Sequence, residues 1–389
     1  MNKKKKQHFP HGFKVGVLGG GQLGKMLALA AGKWGLPFYV LDASRDFPAG
    51  SYSTEFTEGS FKDFDDVYNF GKDKDIVTIE IEHVNTDALI KLQAEGIQVH
   101  PNPHALNIIK DKGLQKQFYT DKSLPTSPFR LYADEVELKH SIEDSRLIYP
   151  FVQKTRTAGY DGRGVAVIRS EEDLHKILKG PCITEPLVDI DKEIAIVVAR
   201  NAKGQTTTFP PVEMDFNPVA NLVEYLYCPA DISYNLLTKA DELAREIIEA
   251  YDVCGLLAVE FFLTKSGEIL INEVAPRTHN SGHHTIDSCQ TSQFEQQLRA
   301  ILNMPLGSTN MTSPAIMVNL LGEAGHTGPA IYEGMDACLE TEGVHIHLYG
   351  KKMTKPFRKM GHATIVDKDL VKAKEKADFV KKTLRIISE

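Results

Sequence analysis

The sequence has no long apolar run and no excess of positive charge, and these absences exclude two classes of protein. Its longest apolar stretches, such as Ile316–Leu321, are far shorter than the ~20 residues that a membrane-spanning helix needs. Acidic residues outnumber basic ones by 52 to 45, and the net charge is −7. This balance argues against a nucleic-acid-binding surface. We therefore expect neither a membrane nor a nucleic acid as a partner.

Cysteines are few and scattered, which excludes a disulfide framework or a zinc ribbon. The five are at least 26 positions apart and form no CxxC pair: Cys182, Cys228, Cys254, Cys289 and Cys338. An odd number of separated thiols is typical of a reducing compartment, so we predict a cytoplasmic protein. The lysines of Met1–Gln7 are followed by no apolar segment, so this stretch is predicted to be a solvated tail rather than a signal peptide.

What is present is an ordinary globular composition, 42% hydrophobic and 25% charged over 389 residues, enough for two or three domains. The first hundred residues alternate short apolar strands with helices, beginning with a strand at Lys14–Leu18 and a helix at Gln22–Trp34. This alternation predicts a parallel, doubly wound α/β sheet. We expect a Rossmann-like domain over 1–110, an α+β domain over 111–302 and a small β-rich domain over 303–389.

The run Gly19–Gly24 fits the GxGxxG pattern between a strand and a helix, and Asp42 ends the next strand. Alone, this pattern predicts a dinucleotide site and an NAD-dependent oxidoreductase. The rest of the chain contains no motif for hydride chemistry. In the competing interpretation, the backbone amides at the helix N-terminus hold another anion, such as a substrate phosphate. A purely structural tight turn is the third interpretation.

A second glycine-rich segment follows the strand Phe151–Lys154, with Gly159, Gly162 and Gly164 within six residues. Backbone amides in such a loop can close over phosphates. Lys154 leads directly into it, and Lys112 lies in the segment Asp111–Lys116 at the start of the same domain. A plain β-hairpin turn is the alternative interpretation.

The strand Cys182–Glu185 ends at an acid followed by an apolar run, Pro186-Leu187-Val188. Main-chain groups at such an edge can hydrogen-bond an adenine while the apolar side chains pack against its ring. Glu193, eight residues after Glu185, is placed to bind ribose hydroxyls. Exposed glutamates at strand ends are common, so this pattern alone indicates little.

Glu260 and Glu273 form the strongest acidic pair. They lie on the strands Leu257–Leu263 and Glu268–Glu273, which the turn at 265–267 joins into a hairpin. Such a hairpin places both carboxylates side by side, where like charges are costly unless cations hold them. Carboxylate and phosphate oxygens are the ligands that Mg²⁺ prefers, and Asn272 adds an amide oxygen. The alternative is two unrelated surface acids.

A dense polar run, Ala275–His283, follows the second of these strands. It is predicted to be a loop at the carboxyl end of the strand, where sites in such folds form. Arg277 presents a planar cation suited to a carboxylate or bicarbonate, and His279 and Asn280 could complete that pocket. A surface loop without a role is the alternative.

Six motifs together resemble the ATP-grasp superfamily and, within it, the N5-carboxyaminoimidazole ribonucleotide synthetases. They are GGGQLGKM (Gly19–Met26), EIEHV (Glu80–Val84), KTRTAGYDGRG (Lys154–Gly164), INEVAPRTHNSGHHT (Ile271–Thr285), TSQFEQQLRAI (Thr291–Ile301) and YGK with RKMGH (Tyr349–Lys351, Arg358–His362). The resemblance covers nearly the whole chain. It implies ATP-grasp architecture with a pre-ATP-grasp N-terminal sheet, and a homodimer is expected.

The resemblance also implies roles for the matching positions. ATP would be bound by Lys112, Lys154, Gly159, Tyr160, Asp161, Gly162, Arg163, Gly164, Glu185, Pro186, Leu187, Val188, Glu193, Asn272 and Glu273. Mg²⁺, or Mn²⁺ in its place, would be bound by Glu260 and Glu273. The ribonucleotide would contact Gln22, Leu23, Glu80, Tyr160 and Asp161, with its phosphate on Lys351 and Arg358. Bicarbonate would be held by Arg277, His279 and Asn280, and the implied catalytic residues are Lys154, Asp161 and Arg277.

The implied reaction is ATP-dependent carboxylation of 5-aminoimidazole ribonucleotide by bicarbonate, through carboxyphosphate. Either Glu80 or Asp161 could activate the substrate amine, and the sequence does not decide between them. Two positions depart from the family: many members have Arg at Lys112 and His near Phe216. Phe216 falls in the stretch Glu213–Asn221, which matches the family poorly. Other interpretations are another ATP-grasp ligase, such as a formate-dependent glycinamide ribonucleotide transformylase, and a non-catalytic nucleotide-binding module. A degenerate module of that kind would be expected to lose Glu260 or Glu273.

Overall fold

The computed structural model describes residues 12–157, 159, 164–217 and 222–389. The strands are β1 Val15–Leu18, β2 Phe38–Asp42, β3 Glu55–Glu58, β4 Ile76–Ile79, β5 Gln98–His100, β6 Arg130–Tyr132, β7 Phe151–Thr155, β8 Val165–Ile168, β9 Cys182–Pro186, β10 Ile190–Arg200, β11 Thr206–Thr208, β12 Val212–Phe216, β13 Val223–Cys228, β14 Gly255–Thr264, β15 Ile269–Ala275, β16 Ala315–Leu321, β17 Gly328–Pro329, β18 Ile331–Glu333, β19 Val344–Leu348, β20 Met353–Thr354, β21 Lys359–Val366 and β22 Arg385–Ile387. The helices are α1 Gln22–Gly32, α2 Phe64–Gly71, α3 Thr86–Ala94, α4 Pro103–Ile109, α5 Lys112–Asp121, α6 Glu135–Glu143, α7 Tyr234–Ala250, α8 Thr285–Ser288, α9 Gln293–Ile301, α10 Met335–Leu339 and α11 Leu370–Thr383.

The N-terminal strands form a five-stranded parallel sheet in the order β3-β2-β1-β4-β5, which confirms the predicted α/β unit. The central strands β1 and β4 are buried along their whole length, as expected for a parallel sheet covered on both faces. Helix α1 packs in one apolar cluster with Phe294 and Leu298 of α9. The N-terminal sheet is therefore joined to the helix that follows the predicted bicarbonate loop.

The middle of the chain builds two antiparallel sheets, which confirms the α+β prediction. The smaller has the order β6-β9-β7-β8, and the larger runs β15-β14-β10-β12-β13-β16-β21-β19, with β11 beside β10. Helix α7 covers β10 and β14, burying Ala240, Ala244, Ile247 and Ile248 against them. The small and large sheets together position the residues of the candidate site.

The β-rich C-terminal segment is continuous with the large sheet, because β16 pairs with β13 and extends the sheet through β21 to β19. Helix α11 covers this end, and its buried face carries Ala373, Ala377 and Val380. The limits 1–110, 111–302 and 303–389 stay a prediction.

Some predicted elements differ in extent. Helix α1 ends at Gly32 rather than at Trp34. Helix α7 begins at Tyr234, where the Ser233 side chain caps it by accepting from the Leu236 amide. Within the described residues, no helix is both long and apolar enough to cross a membrane. All five cysteines are free thiols.

Candidate active site

One cavity of about 570 Å³ brings together residues from all three parts of the chain. Predicted site residues on its wall are Gln22, Leu23, Glu80, Lys112, Gly159, Glu260, Glu273, Arg277, His279 and Asn280. It is also lined by Glu82, Phe216, His283 and Lys359, to which the sequence had assigned no role.

The acid pair lies at the centre of this set. Glu260 on β14 and Glu273 on β15 are direct partners in the antiparallel register, as the hairpin spacing predicted. Burial and the neighbouring Glu273 charge raise the pKa of Glu260. The Lys112 ammonium contacts Glu273 and lowers the pKa of that carboxyl. Glu273 is thus neutralised by a lysine, whereas the nearest basic group to Glu260 among the described residues is the His279 ring, with Nε2 3.8 Å from Oε1.

This donor set fits a divalent cation bound together with phosphate oxygens. Two adjacent carboxylates supply hard oxygen ligands, and a second positive charge beside Glu260 would relieve their repulsion. The described part of the chain contains no cluster of three or more His, Cys, Asp or Glu side chains arranged to hold a metal ion. A cation on this pair would therefore depend on the ligands that a bound nucleotide supplies.

Lys112 is fixed by the start of α5. Asp111 caps the helix, accepting from the amides of Gly113 and Leu114. The same carboxylate receives a two-pronged contact from Arg156, at 2.9 Å from Nε and 2.7 Å from Nη2. The Lys112 amide donates to the Arg156 carbonyl at 2.8 Å. The helix start is thereby tied to the chain just after β7, and Lys112 is directed towards Glu273.

Lys154 belongs to a buried charge cluster around Glu185. Its Nζ lies 2.8 Å from Glu185 Oε2 and donates to Asn272 Oδ1 at 3.1 Å. The other Glu185 oxygen contacts Lys116, which also donates to Thr126 Oγ1 at 2.6 Å. Burial opposes the charge of Glu185, but the two ammonium groups lower its pKa overall. Burial lowers the pKa of Lys116 to about 8.

The loop after β15 presents Arg277, His279 and Asn280 together. Arg277 Nη2 lies 2.7 Å from Glu82 Oε1, and its Nη1 donates to the Thr278 carbonyl at 2.9 Å. Both amide atoms of Asn280 are buried and have no hydrogen-bond partner among the described residues. Leaving such a group unsatisfied is costly. A polar ligand in the cavity would give Asn280 the partners that it lacks.

In the first glycine loop, the amides of Gly20, Gly21 and Gly24 are bonded to the protein's own carboxylates, which argues against the interpretation that these three amides hold a phosphate. The Gly21 and Gly24 amides each donate to the Glu80 carboxylate at 2.8 Å, and the Gly20 amide donates to Asp42 Oδ2 at 2.7 Å. A Cβ added at Gly21 would lie 2.6 Å from Glu80 Oε1. The lack of a side chain at Gly21 therefore leaves room for the Glu80 carboxylate. Burial raises the pKa of Glu80.

Other predicted positions lie away from the cavity wall or outside the described residues. Lys351 Nζ donates to the Lys359 carbonyl at 2.7 Å, and Arg358 Nη1 donates to the Met353 carbonyl at 2.7 Å.

Burial raises the pKa of Glu193 on β10 to about 7. Gly164 has a φ of +75°, which favours glycine. Pro186, Leu187 and Val188 end β9 or follow it. Tyr160, Asp161, Gly162, Arg163 and Asn221 lie outside the described residues.

Comparison with known families covers most of the chain. Residues 13–110 match the ribonucleotide synthetase preATP-grasp domain, residues 117–294 the ATP-grasp domain, and residues 315–376 the phosphoribosylaminoimidazole carboxylase C-terminal domain. The crystal structure of N5-carboxyaminoimidazole ribonucleotide synthetase from Thermotoga maritima is 43% identical, with a TM-score of 0.89. The match covers 97% of this chain and 100% of that one. The chain belongs to the N5-carboxyaminoimidazole ribonucleotide synthetase family.

Two further relatives bear on what this family member does. A structure of the Aspergillus clavatus N5-carboxyaminoimidazole synthase, in complex with ADP and 5-aminoimidazole ribonucleotide, is 32% identical with a TM-score of 0.87, covering 95% of this chain and 98% of that one. The chloroplastic phosphoribosylaminoimidazole carboxylase of Vigna aconitifolia is 40% identical over 92% of this chain. The chain spans only 64% of that relative's length.

Within this synthetase-family site, sequence reasoning missed several residues. Lys116 lies on the same face of α5 as Lys112, since the two are four residues apart. That spacing could have identified Lys116 as a second lysine directed towards the acids of the site. Glu82 lies within the EIEHV motif but was given no role. Lys359 and His283 are also on the cavity wall. Phe216, one of the two departures from the family, is there as well.

Proposed function

We propose that this chain catalyses the ATP-dependent carboxylation of 5-aminoimidazole ribonucleotide by bicarbonate, releasing ADP and phosphate. The observation that carries the proposal is the single cavity in which the acid pair Glu260–Glu273 meets Arg277, His279 and Asn280. A site for phosphoryl transfer and a site for a small planar anion would then adjoin each other. The ADP and aminoimidazole ribonucleotide bound to the Aspergillus clavatus relative support the same pair of ligands.

In the first step, a bicarbonate oxygen attacks the γ-phosphorus of ATP, the bond to the β-phosphate oxygen breaks, and ADP leaves. Carboxyphosphate results. Phosphoryl transfer depends mainly on positioning and charge neutralisation. Arg277 would hold bicarbonate by two oxygens, and Asn280 would complete the pocket with its buried amide. Lys112 and Lys154 supply positive charge close to the acid pair.

In the second step, the exocyclic amine of the ribonucleotide attacks the carboxyl carbon of carboxyphosphate. The carbon–oxygen bond to phosphate breaks, phosphate leaves, and the amine loses a proton. Glu80 and Asp161 remain the two candidates to orient or deprotonate the amine. Because carboxyphosphate must be kept from water, we propose that the segment at 157–164 acts as a lid.

We propose that Mg²⁺, or Mn²⁺ in its place, is held by Glu260 and Glu273. When bound, the ion would neutralise charge that develops on the phosphoryl oxygens. We also propose Lys351 and Arg358 for the ribonucleotide phosphate, and Glu185–Val188 with Glu193 for the adenosine. The resemblance supports a homodimer, which light scattering of the purified protein would test, and a cytoplasmic location stays a prediction.

The experiment that tests the proposal follows ADP release and carboxylated ribonucleotide in one reaction with Mg-ATP and bicarbonate. We expect both products when aminoimidazole ribonucleotide is present and little ADP without it. The matched reaction replaces the substrates by formate and glycinamide ribonucleotide, which the alternative ligase would use. Turnover only with formate and glycinamide ribonucleotide would contradict the proposal.

A further inference from the structure

Gln293, the first residue of α9, lies directly beneath the loop that carries His279 and Asn280. Its side chain is completely buried and is bonded on three sides. Oε1 accepts from the His279 amide at 2.9 Å, Nε2 donates to the His279 carbonyl at 2.7 Å, and Nε2 lies 3.1 Å from His283 Nδ1. A Cβ on Gly282 would lie 2.5 Å from Gln293 Oε1, so the glycine is what lets this side chain approach.

These three contacts fix which end of the Gln293 amide faces His283. A backbone N–H only donates, so the atom opposite the His279 amide must be the oxygen. A carbonyl only accepts, so the atom opposite the His279 carbonyl must be the nitrogen. The atom facing His283 is therefore an NH₂ group that donates its second hydrogen. His283 Nδ1 must accept this bond and carries no proton.

A neutral imidazole without a proton on Nδ1 carries it on Nε2. His283 is itself 1% exposed and lines the cavity. Since Nδ1 is turned towards Gln293, Nε2–H is the polar group of the ring that is left for the cavity. Burial lowers its pKa well below the ordinary value, and the neighbouring titratable groups have the same effect. Those neighbours are His279, Lys359, His347 and His284, and the His362 ring is 4.7 Å away.

We propose that His283 is a neutral hydrogen-bond donor to an anionic oxygen of the carboxyl group being transferred, and that Gln293 is the positioning residue that holds it in the Nε2–H form. The identity of this acceptor, an oxygen of the transferred carboxyl group, rests on the proposed function. Arg277, His279 and Lys359 line the same cavity as His283 and are the groups that would hold an anion beside it. His283 is not a base, because its Nε2 is already protonated and its Nδ1 is engaged by Gln293.

A fixed donor of this kind stabilises charge that develops in the transition state without reorganisation. Removal of one comparable donor in other enzymes lowers kcat by about 10²–10³-fold. The donor role needs only a neutral N–H at the position of Nε2. A proton-transfer role would need a group that titrates. Amide side chains separate these two roles because they donate but do not titrate.

The first test uses two amide replacements of His283. In His283→Gln the amide nitrogen reaches the position of Nε2, so kcat/KM should stay within about tenfold of the parent. In His283→Asn the amide stops at the position of Nδ1 and can only pair with Gln293, so kcat/KM should fall about 10²-fold. Equal and severe loss in both folded variants would overturn the donor role in favour of acid–base chemistry, and equal retention would show that His283 is not used.

The second test measures the tautomer in the parent protein without substrates, using ¹⁵N-histidine NMR with His283→Gln to assign the signal. We expect Nε2 protonated and Nδ1 bare between pH 6 and pH 8. In Gln293→Glu the ionised carboxylate can only accept, so Nδ1 should gain a proton. A protonated Nδ1 in the parent, or an unchanged Nδ1 in folded Gln293→Glu, would overturn the positioning role.

The two tests also separate this inference from the proposed function. The tautomer is read without any reaction. If the parent forms no carboxylated ribonucleotide, the proposed function fails and so does the acceptor assigned to His283, while the pairing with Gln293 is judged by NMR alone. If the parent is active and His283→Asn is equally active, only the inference fails. If His283→Asn does not fold, the NMR of the parent still decides the tautomer.

Discussion

Oε2 of Glu80 accepts a hydrogen bond of 2.8 Å from the amide of Gly24, on the first turn of α1. With Oε1 on the Gly21 amide and Asp42 on Gly20, carboxylates occupy the donors that a dinucleotide pyrophosphate would use. The loop that fits the GxGxxG pattern is therefore closed to such a ligand. Asp42, the acid that would bind the ribose in a dinucleotide site, instead accepts a hydrogen bond from the Gly20 amide of the glycine loop.

This closure predicts opposite responses to two nucleotides. NAD should leave the melting temperature of the protein unchanged, because its pyrophosphate would face two carboxylates. Mg-ATP should raise it, since a ligand specific for the native state stabilises by about 2.7 kcal/mol at a hundredfold excess over Kd. Differential scanning fluorimetry with each nucleotide is the measurement. A shift with NAD and none with Mg-ATP would reverse the assignment of the nucleotide site.

The acid pair is tested by Glu273→Gln. We expect ADP formation to be abolished in a folded protein, because a cation ligand loses its charge and Lys112 loses its partner. Glu268→Gln is the matched control, since Glu268 lies on the same hairpin and bonds to Ser266. ADP release and circular dichroism are compared for both. Near-normal turnover of Glu273→Gln would remove the metal assignment.

Arg277→Lys keeps the charge but loses the planar fork that grips two oxygens. Mg-ATP affinity should stay within a few-fold of the parent, whereas carboxylated product should form about a hundredfold more slowly, as small misalignments cost about that much. ADP release should then exceed product formation. Arg299→Lys, on α9 with Glu295 as its partner, serves as the control. A collapse of ATP affinity with a product-to-ADP ratio of one would make Arg277 a phosphate ligand.

Lys116→Met removes one of the two cations on buried Glu185. Breaking a buried ion pair from one side is strongly destabilising, so the free energy of unfolding should fall by about 3 kcal/mol. Lys176→Met breaks a pair with Asp173 in which the lysine side chain is half exposed, and it should cost less than about 1 kcal/mol. Urea denaturation of both variants gives the comparison. Equal stability would show that Lys116 is not needed to hold Glu185.

His100 at the end of β5 predicts a loss of stability in acid. Burial lowers its pKa from 6.5 to about 4, so the unfolded chain binds more protons than the folded one between these values. The contribution of His100 to the free energy of unfolding is complete above pH 6.5 and is lost as the pH drops towards 4. The loss is on the order of 2 kcal/mol at pH 5. His100→Gln should lose less between pH 7 and pH 5 than the parent.

The matched control for His100 is His140→Gln, because His140 is exposed. Thermal melts at several pH values should give His140→Gln the same acid loss as the parent. If His100→Gln and His140→Gln lose stability equally, His100 is not the group that titrates.

The sequence was most informative where the relevant contacts are local. That Glu260 and Glu273 would be neighbours was predictable because a three-residue turn sets the register beside it. A register shift between Glu260 and Phe261, which the turn does not fix, makes Glu273 rather than Asn272 the direct partner of Glu260. Strand β3, Glu55–Glu58, was not predicted, since it is a charged edge strand without an apolar run. The pair β12 and β13 was missed as well, within and after the stretch that matches the family poorly.

Contacts between distant segments were not predictable. Lys112 and Glu273 are 161 positions apart, and no periodicity in the sequence relates them. Gln293 lay in a motif that indicated the family, yet its role follows only from its three hydrogen bonds to the loop above it. Glu80 was assigned to the substrate, whereas the structure shows that its carboxylate also holds the glycine loop.

The pairing of β13 with β16 has a consequence for synthesis of the chain. Cys228 at the end of β13 pairs with Ala315 of β16, so the neighbour of β13 is translated roughly 90 residues later, on the order of ten seconds at typical rates. During that interval β13 presents unpaired backbone groups, which invite association with other chains. Newly made protein should therefore be most vulnerable to aggregation while the ribosome is between these two strands.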